Sequence, residues 1–360
     1  MLVAVLLARA AQAGHVYDFL AGAVRGMELT FVERVRAFVV PLDVWRTVLT
    51  VEGCGPQAHA ALVQQPWYEE IPADVRAVLR EAGEEALGES LSLIPQLAAV
   101  AELAAANGIE IMALKGAARL IQGELAARSV VDIDVLAREA DAERLHQLLR
   151  QSLGYEPMAG APGPEHHHLP GLSGEGMLAV EVHTRPSRRP SRQSETIWRD
   201  ARAIPVGNAQ VLVPSPDALV LHTLEHALST RARRYRLRDI TDVAAVWGDD
   251  VDAEVVLASV AGNPDRFALE TLLSAAHDVD PRVPMVHAGS WRRVWRVARA
   301  RAAAAAVAGD TEASQRLMLA AATLAEGSPR EIARLLGKAL AAPGLVARTL
   351  VRAFARDPTR

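Results

Sequence analysis

The stretch that decides the fold is Ile109–Ala137, IEIMALKGAARLIQGELAARSVVDIDVLA. Its first six residues form an apolar run of strand length. Lys115-Gly116 interrupts this run, and the alanine- and leucine-rich segment 117–126 predicts a helix. Residues 129–137 are β-branched and alternate in polarity, which predicts a second strand. The stretch therefore predicts a strand, a tight turn, a helix and another strand.

Two aspartates lie side by side in the second predicted strand. Strand residues two apart point to the same face, so Asp132 and Asp134 share one. Two ionised carboxylates at close range repel each other, and burying them costs free energy unless a positive charge neutralises them. A divalent cation supplies that charge, and oxygen ligands favour Mg²⁺ or Mn²⁺. The alternative is a plain βαβ unit that carries an Asp-x-Asp at its surface.

The Lys115-Gly116 turn indicates a phosphate site. A helix that starts directly after a strand offers free N–H groups and the positive end of its dipole to an anion. Gly116 lets a phosphate approach the backbone, and Lys115 adds a compact positive charge. The chain has only one other lysine, Lys338. A phosphate site beside metal-binding aspartates is typical of phosphoryl or nucleotidyl transfer.

A third carboxylate follows in the predicted strand Met177–Val182, MLAVEV. Alternation places Ala179, Glu181 and the adjoining His183 on one face. If this strand lies beside the strand of the two aspartates, Glu181 completes a three-carboxylate metal site. The alternative is a half-exposed glutamate on an edge strand.

The order of these motifs resembles a known family. LKG, a helix, R-x-x-x-DIDVL, a helix ending in GY, a histidine-bearing hairpin and VEVH follow one another in the chain. This order is similar to that of the uncharacterised nucleotidyltransferase family of the polymerase-β-type superfamily, over about residues 90–250. The resemblance implies that Asp132, Asp134 and Glu181 are the catalytic, metal-binding carboxylates.

The resemblance also implies the residues that contact the nucleotide. They are Lys115, Gly116, Ala117, Arg128 and Arg238. Arg128 matches the arginine four residues before the first aspartate. The R-x-x-D helix expected next to the cleft offers either Arg236 or Arg238 to the nucleotide. The superfamily's usual Gly-Ser is Gly116-Ala117 here, which removes a hydroxyl that would contact a phosphate.

The implied reaction moves a nucleoside monophosphate from an NTP to an acceptor hydroxyl and releases pyrophosphate. The acceptor is a small molecule or a protein, and the cofactor is Mg²⁺, or Mn²⁺ in its place. The alternative is a non-catalytic nucleotide-binding or interaction module with the same fold. The missing hydroxyl at Ala117 favours this alternative, whereas the three carboxylates oppose it.

Histidines suggest two further sites. His222, Glu225 and His226 match the H-x-x-E-H pattern of a zinc hydrolase. That class needs a further glutamate downstream, and none stands in a supporting pattern. His166 and His168, in a loop or hairpin rich in glycine and proline, are two apart and could face one metal or phosphate near Glu181.

Composition limits the classes of protein to consider. A net charge of −4 over 360 residues argues against a general nucleic-acid binder. Cys54 is the only cysteine, so no intrachain disulfide can form. The apolar N-terminus lacks a basic leader and Arg9 interrupts it, so it predicts a core helix rather than a signal peptide. No apolar run reaches membrane-spanning length, so we expect a cytoplasmic protein without a membrane partner.

The whole sequence predicts an α/β (α+β) fold. A small mixed β-sheet nucleotidyltransferase core is flanked by helical N- and C-terminal regions. We expect a helical N-terminal region at 1–88, the catalytic core at 89–214 and a helical C-terminal domain at 215–360. Ser215-Pro216 is a strong helix start, with the serine as N-cap.

Overall fold

The computed structural model describes residues 2–123, 128–158, 167–187, 197–228 and 235–287, and residues 294, 297, 298 and 301. These residues include eleven α-helices, and the first seven have the following bounds. They are α1 (Leu2–Val24), α2 (Phe31–Phe38), α3 (Leu42–Glu52), α4 (Gly55–Leu62), α5 (Ala73–Ala106), α6 (Lys115–Ile121) and α7 (Glu139–Leu153). The others are α8 (Pro216–Ala227), α9 (Leu237–Ala245), α10 (Ala253–Ala261) and α11 (Arg266–His277).

The described strands form one mixed sheet. They are β1 (Ile111–Ala113), β2 (Asp132–Ala137), β3 (Glu156–Pro157), β4 (Leu172–Ser173), β5 (Ala179–His183), β6 (Arg202–Val206) and β7 (Ala209–Val213). Their order across the sheet is β3-β4-β5-β2-β1-β7-β6. β2 pairs with β5 and β1 with β7 in parallel, whereas β1 and β2 are antiparallel. The predicted mixed α/β fold is confirmed.

The sheet has an apolar face because its central strands alternate. Ile133 and Val135 on β2, and Val180 and Val182 on β5, are fully buried. Side chains at alternate positions must point the other way, which puts the acidic residues of both strands together on the opposite face. Burial of the apolar side chains therefore sets the face on which the charged groups lie.

Helix α5 anchors the segments that lead into the two central strands. The backbone N–H of Val130, just before β2, donates to the Glu89 carboxylate at 2.8 Å. The backbone N–H of Leu178, just before β5, donates to the Gln96 side-chain oxygen at 2.8 Å. Each bond satisfies a backbone donor at the point where the chain enters the sheet.

The chain divides into two compact units. One comprises Met1–Leu79, Ala227–Ala244 and Phe267–Arg360, and the other Arg80–His226 and Ala245–Arg266. All seven strands belong to the second unit. The predicted division at residues 88 and 214 stays a prediction.

Proline and glycine lie at or near the ends of the first helices. Helix α2 ends before Pro41, and α3 ends at Gly53, which has a left-handed φ of 61°. Helix α4 has Pro56 in its first turn. Within the described ranges, none of the helices combines the length and apolarity that crossing a bilayer requires.

Candidate active site

The parallel register of β2 and β5 brings the predicted carboxylates together. Asp134 lies directly opposite Glu181, and Asp132 lies opposite Ala179. Paired residues of neighbouring strands point to the same face, so both acidic side chains share the charged face of the sheet. The prediction that the Glu181 strand lies beside the aspartate strand is confirmed.

Lys115 reaches this pair from the turn after β1. The Leu114 N–H donates to the Asp134 carbonyl at 3.0 Å, which holds the turn against β2. Lys115 has a positive φ of 48°, uncommon for a residue with a side chain. Its Nζ donates to Asp134 Oδ1 at 2.5 Å and lies 4.0 Å from Glu181 Oε2. The Lys115 ammonium therefore lies between the two carboxylates.

His183 completes the cluster from the end of β5. Its side chain is fully buried, and its Nε2 donates to Asp134 Oδ1 at 2.7 Å. The same nitrogen lies 3.6 Å from Glu181 Oε2. Asp134 Oδ1 thus accepts hydrogen bonds from both Lys115 and His183.

The charges of the cluster stabilise one another. Burial works against the ionised form of Asp134, but Lys115 and His183 hold its pKa well below the usual range. The hydrogen bond from His183 lowers the pKa of Glu181. Burial alone would lower the pKa of Lys115 and of His183, but their bonds and attraction to Asp134 raise both. The site therefore contains two carboxylates and two cationic groups.

Asp132 has a different environment, although it is on the same strand. Burial and repulsion by the Asp134 carboxylate raise the pKa of Asp132 to about 7. Lys115 opposes this increase but does not reverse it. Asp132 is thus the carboxyl group of this face that has the least compensation for its charge.

Three residues of the site could hold a metal ion. One ligand atom each of Asp134, Glu181 and His183 lie within 4.8 Å of one another. In the described part of the chain, no other group of three or more such ligands exists. The sequence predicted Asp132, Asp134 and Glu181 as the metal ligands. The geometry instead groups His183 with Asp134 and Glu181, and Asp132 is not in this group. A metal-binding role for Asp132 stays a prediction.

Two further histidines surround His183. His168 forms an antiparallel bridge with it, and the rings of His167 and His168 have centroids 4.9 and 5.4 Å from the His183 ring. Burial and the nearby His183 lower the pKa of His167 to about 3. The predicted pairing of His166 with His168 cannot be followed, because His166 is outside the described residues. A histidine-lined wall therefore adjoins the metal-ligand group.

His222 is buried beside the same charges, on α8. Neither of its ring nitrogens has a hydrogen-bond partner among the described residues. Burial first, and then Lys115 and His183, lower its pKa to about 3. Its ring stacks on His226 with centroids 6.5 Å apart. His222, Glu225 and His226 do not form one of the candidate metal groups in the described residues.

The other residues predicted to contact the nucleotide each have a different local environment. Gly116 and Ala117 are buried in the first turn of α6, which starts at Lys115, two residues earlier than predicted. Arg128 Nε donates to the Ser129 carbonyl at 3.4 Å. Arg238 belongs to the other compact unit, where it pairs with Asp242 at 3.8 Å. Their contacts with a nucleotide stay predictions.

Gly116 also has a packing role. A Cβ at this position would lie 3.0 Å from Cγ1 of Val130, which is closer than side-chain carbons normally approach. Any larger residue would therefore press on the segment that enters β2. Close packing against Val130 therefore explains a glycine at this position whether or not it contacts a phosphate.

The comparisons with known proteins agree with this arrangement of motifs. A family model described as an uncharacterised nucleotidyltransferase matches residues 45–279, well over half of the chain. The chain belongs to the uncharacterised nucleotidyltransferase family. Membership supports nucleotidyl transfer as the general activity of the family's fold in this chain.

A solved structure is also similar to part of this chain. It is the crystal structure of an antigenic nucleotidyltransferase-like protein from Paracoccidioides brasiliensis. The similarity covers 51% of this chain and 94% of that chain, at 17% identity and a TM-score of 0.34. No curated protein matches this chain by sequence.

Sequence reasoning underestimated His183. It placed the histidine on the face of Glu181 but assigned the ligand set to carboxylates alone. The signal was the two-residue spacing in Glu181-Val-His183, which puts a carboxylate and an imidazole on one strand face. For His222 the sequence offers a zinc pattern and a helical position that also fits the family resemblance. A helix alone does not show which sheet residues it packs against.

Proposed function

We propose that the protein transfers a nucleoside monophosphate from an NTP to an acceptor hydroxyl of a small molecule or a protein. One observation carries the proposal: the parallel register of β2 and β5, which sets Asp134 opposite Glu181. The Lys115 ammonium lies at the same point. Paired carboxylates beside a cationic residue suit a reaction in which a metal-bound triphosphate is the substrate.

The donor set supports a divalent metal cofactor, Mg²⁺ or Mn²⁺. Asp134 and Glu181 would hold the ion, His183 lies close enough to join them, and Asp132 is the further carboxylate implied by the family resemblance. When bound, such an ion acidifies the attacking hydroxyl and stabilises charge on the leaving pyrophosphate. We expect Asp132 to enter the ligand set only when the charge of a metal compensates its own.

The NTP and the acceptor are the only reactants that the transfer requires. The acceptor oxygen forms a bond to the α-phosphorus, and the bond from that phosphorus to the bridging oxygen of the pyrophosphate breaks. The hydroxyl proton passes to a carboxylate of the site and then to solvent. The electron pair of the broken bond leaves with pyrophosphate.

Lys115 is the chain's strongest candidate for a phosphate contact. The Lys115 side chain is 11% exposed, so it retains access to a ligand, while burial strengthens the electrostatic interactions of its ammonium. Once a metal neutralises Asp134 and Glu181, the ammonium can turn to the triphosphate. We expect Arg128 and the backbone of Gly116 and Ala117 to add contacts, as the family resemblance implies, and Arg238 to contact the nucleotide.

The experiment that tests the proposal measures NTP binding and turnover. Each of the four NTPs is titrated into the wild-type protein with and without Mg²⁺ or Mn²⁺, and pyrophosphate release is followed. We expect metal-dependent binding that disappears in the Asp132→Ala/Asp134→Ala double variant. The control is Glu110→Ala, an exposed carboxylate paired with Arg138 outside the site. Full activity in the double variant would refute the mechanism.

The alternative is a non-catalytic nucleotide-binding or interaction module. Ala117 favours it, because this fully buried position lacks the hydroxyl that the superfamily usually presents to a phosphate. Metal-dependent NTP binding without pyrophosphate release, under every acceptor condition tried, would support this alternative.

A further inference from the structure

The ligand set of the site mixes oxygen and nitrogen donors. Asp134 and Glu181 offer carboxylate oxygens, whereas His183 offers an imidazole nitrogen within the same 4.8 Å group. Mg²⁺ prefers oxygen ligands in octahedral geometry and gives up its water reluctantly. Imidazole suits transition-metal ions such as Zn²⁺, Fe²⁺ and Ni²⁺. Mn²⁺ prefers oxygen ligands as Mg²⁺ does, but it accepts an imidazole nitrogen more readily than Mg²⁺. The donor set therefore differs from the three-carboxylate set expected from the sequence.

His183 lies close enough to Asp134 and Glu181 to bind the same ion. It is fully buried, and its Nε2 lies 2.7 Å from Asp134 Oδ1 and 3.6 Å from Glu181 Oε2. Its other ring nitrogen, Nδ1, is buried without a hydrogen-bond partner among the described residues. A buried polar atom without a partner costs about 1–3 kcal/mol, which is a reason to expect a ligand or water beside the ring.

We propose that this site selects a first-row transition-metal ion, and Mn²⁺ in particular, over Mg²⁺, with His183 as the ligand that discriminates. The proposal rests on the proposed function, which requires a divalent ion at Asp134 and Glu181. It assigns the identity of that ion from the residues of this chain. Mn²⁺ retains the carboxylate and phosphate chemistry that the transfer needs, whereas the nitrogen donor favours it over Mg²⁺.

Because Lys115 competes with any divalent ion for Asp134, the ratio of the Mn²⁺ and Mg²⁺ affinities is more informative than either affinity alone. The Lys115 ammonium is bonded to Asp134 Oδ1 at 2.5 Å, so any divalent ion must displace it. This competition weakens Mg²⁺ and Mn²⁺ alike, because both have the same charge. An ion bound at His183 Nε2 also displaces the proton that this nitrogen donates to Asp134. The change in the ratio of the two affinities when the ring is removed therefore measures the contribution of the nitrogen donor.

The test compares matched glutamine substitutions at two histidines. His183→Gln replaces the ring by a side chain with an oxygen donor, and His146→Gln makes the same change on α7. His146 Nε2 bonds to the Pro170 carbonyl and belongs to no candidate metal group of the described residues. Mn²⁺ and Mg²⁺ affinities are measured by calorimetry without nucleotide. Electron spin-echo spectroscopy of the Mn²⁺-loaded wild type detects directly bound nitrogen.

We expect the wild type to bind Mn²⁺ at least about 100-fold more tightly than Mg²⁺, and His183→Gln to reduce that ratio at least about tenfold. His146→Gln should leave the ratio unchanged. The wild-type spectrum should show nitrogen coupling, and this measurement decides the question if His183→Gln does not fold. Absence of nitrogen coupling, an unchanged ratio in His183→Gln, or no binding of either ion would overturn the proposal.

NTP titration of the same samples separates this proposal from the proposed function. Mn²⁺ bound through nitrogen, in a protein that binds no NTP, would support the metal preference and refute nucleotidyl transfer. NTP turnover that is equal with both metals, without nitrogen coupling, would do the reverse.

Discussion

Asp134 Oδ1 is the oxygen to which both cationic side chains of the site bond. It accepts from Lys115 Nζ at 2.5 Å and from His183 Nε2 at 2.7 Å, in a side chain that is 1% exposed. Asp132, two residues away, has no comparable compensation, and its pKa is raised to about 7 by burial and by Asp134. The ionised form of Asp134 thus stabilises the folded protein, whereas the ionised form of Asp132 destabilises it.

The first prediction compares asparagine at these two positions. Asp134→Asn leaves Lys115 and His183 as buried cations without their carboxylate, so we expect it to lower the free energy of unfolding by about 3 kcal/mol. Asp132→Asn removes a repelling charge and should leave that free energy unchanged or higher. Urea unfolding with a chelator present measures both. Equal destabilisation by the two substitutions would contradict the assignment.

The second prediction concerns Lys115. A metal ion bonds to a carboxylate oxygen at about 2.1 Å, so an ion and the Lys115 ammonium on the same oxygen would lie within about 5 Å of each other. Lys115→Met removes this competing charge and keeps most of the side-chain volume. We expect Mn²⁺ affinity without nucleotide to rise at least about tenfold, as measured by calorimetry.

The control for Lys115→Met is Arg138→Met. Arg138 is half-exposed and pairs with Glu110 at 3.2 Å, away from the metal-ligand group. Its substitution should leave Mn²⁺ affinity unchanged. A lower affinity in Lys115→Met would mean that the ammonium helps to assemble the site rather than competing with the metal.

At the scale of elements, short helices depend on their caps. Helix α2 has eight residues and a capping box, in which Thr30 and Glu33 bond to each other's backbone. The Glu33 carboxylate accepts from the Thr30 N–H at 2.9 Å, and Thr30 Oγ1 accepts from the Glu33 N–H at 3.3 Å. These bonds satisfy donors that an isolated helix of this length would leave open.

The third prediction removes this cap. Thr30→Ala should lower the free energy of unfolding by about 1 kcal/mol, whereas Thr30→Ser, which keeps the hydroxyl, should retain most of the stability. Bonds from Thr30 lower the pKa of Glu33. This stabilisation is therefore complete above the ordinary carboxyl pKa and is lost as pH falls through the lowered one.

The difference between wild type and Thr30→Ala should consequently narrow on acidification. Thermal unfolding at a series of pH values measures it. A difference that stays constant with pH would show that Glu33 does not contribute through its charge.

At the scale of the whole molecule, one buried ion pair joins distant parts of the same compact unit. Arg301 donates to Glu52 from Nε at 2.9 Å and from Nη2 at 2.8 Å, across 249 residues of sequence. The Leu237 N–H donates to the other oxygen of Glu52 at 3.0 Å. Both charged side chains are almost completely buried, and the attraction of Arg301 is the largest influence that favours the ionised form of Glu52.

The fourth prediction breaks this pair. Glu52→Gln leaves the Arg301 guanidinium buried without its counter-charge, so we expect a loss of about 3–5 kcal/mol in the free energy of unfolding. Asp43→Asn is the matched control in the same unit, since Asp43 forms a largely exposed pair with Arg9. Exposed pairs contribute about 1 kcal/mol or less. Urea unfolding measures both variants. Equal losses in the free energy of unfolding would contradict a stabilising role for the buried Glu52–Arg301 pair.

The sequence alone determined the features that neighbouring residues encode. Alternation predicted the strand at β2 and the common face of Asp132 and Asp134. Ser215 precedes α8 as expected, with its Oγ accepting from the Ala218 N–H at 3.4 Å. Such signals are local, because period and caps depend on residues only a few positions apart.

The tertiary structure alone decided which distant residues meet. The register of β2 on β5 placed Glu181 and His183 at Asp134, and the turn at Lys115 directed its ammonium to the same oxygen. The sequence did not predict β6, the strand order of the sheet, or the pairing of Glu52 with an arginine 249 residues away. Register follows from burying the apolar faces of separate segments against each other, so no single segment contains that information.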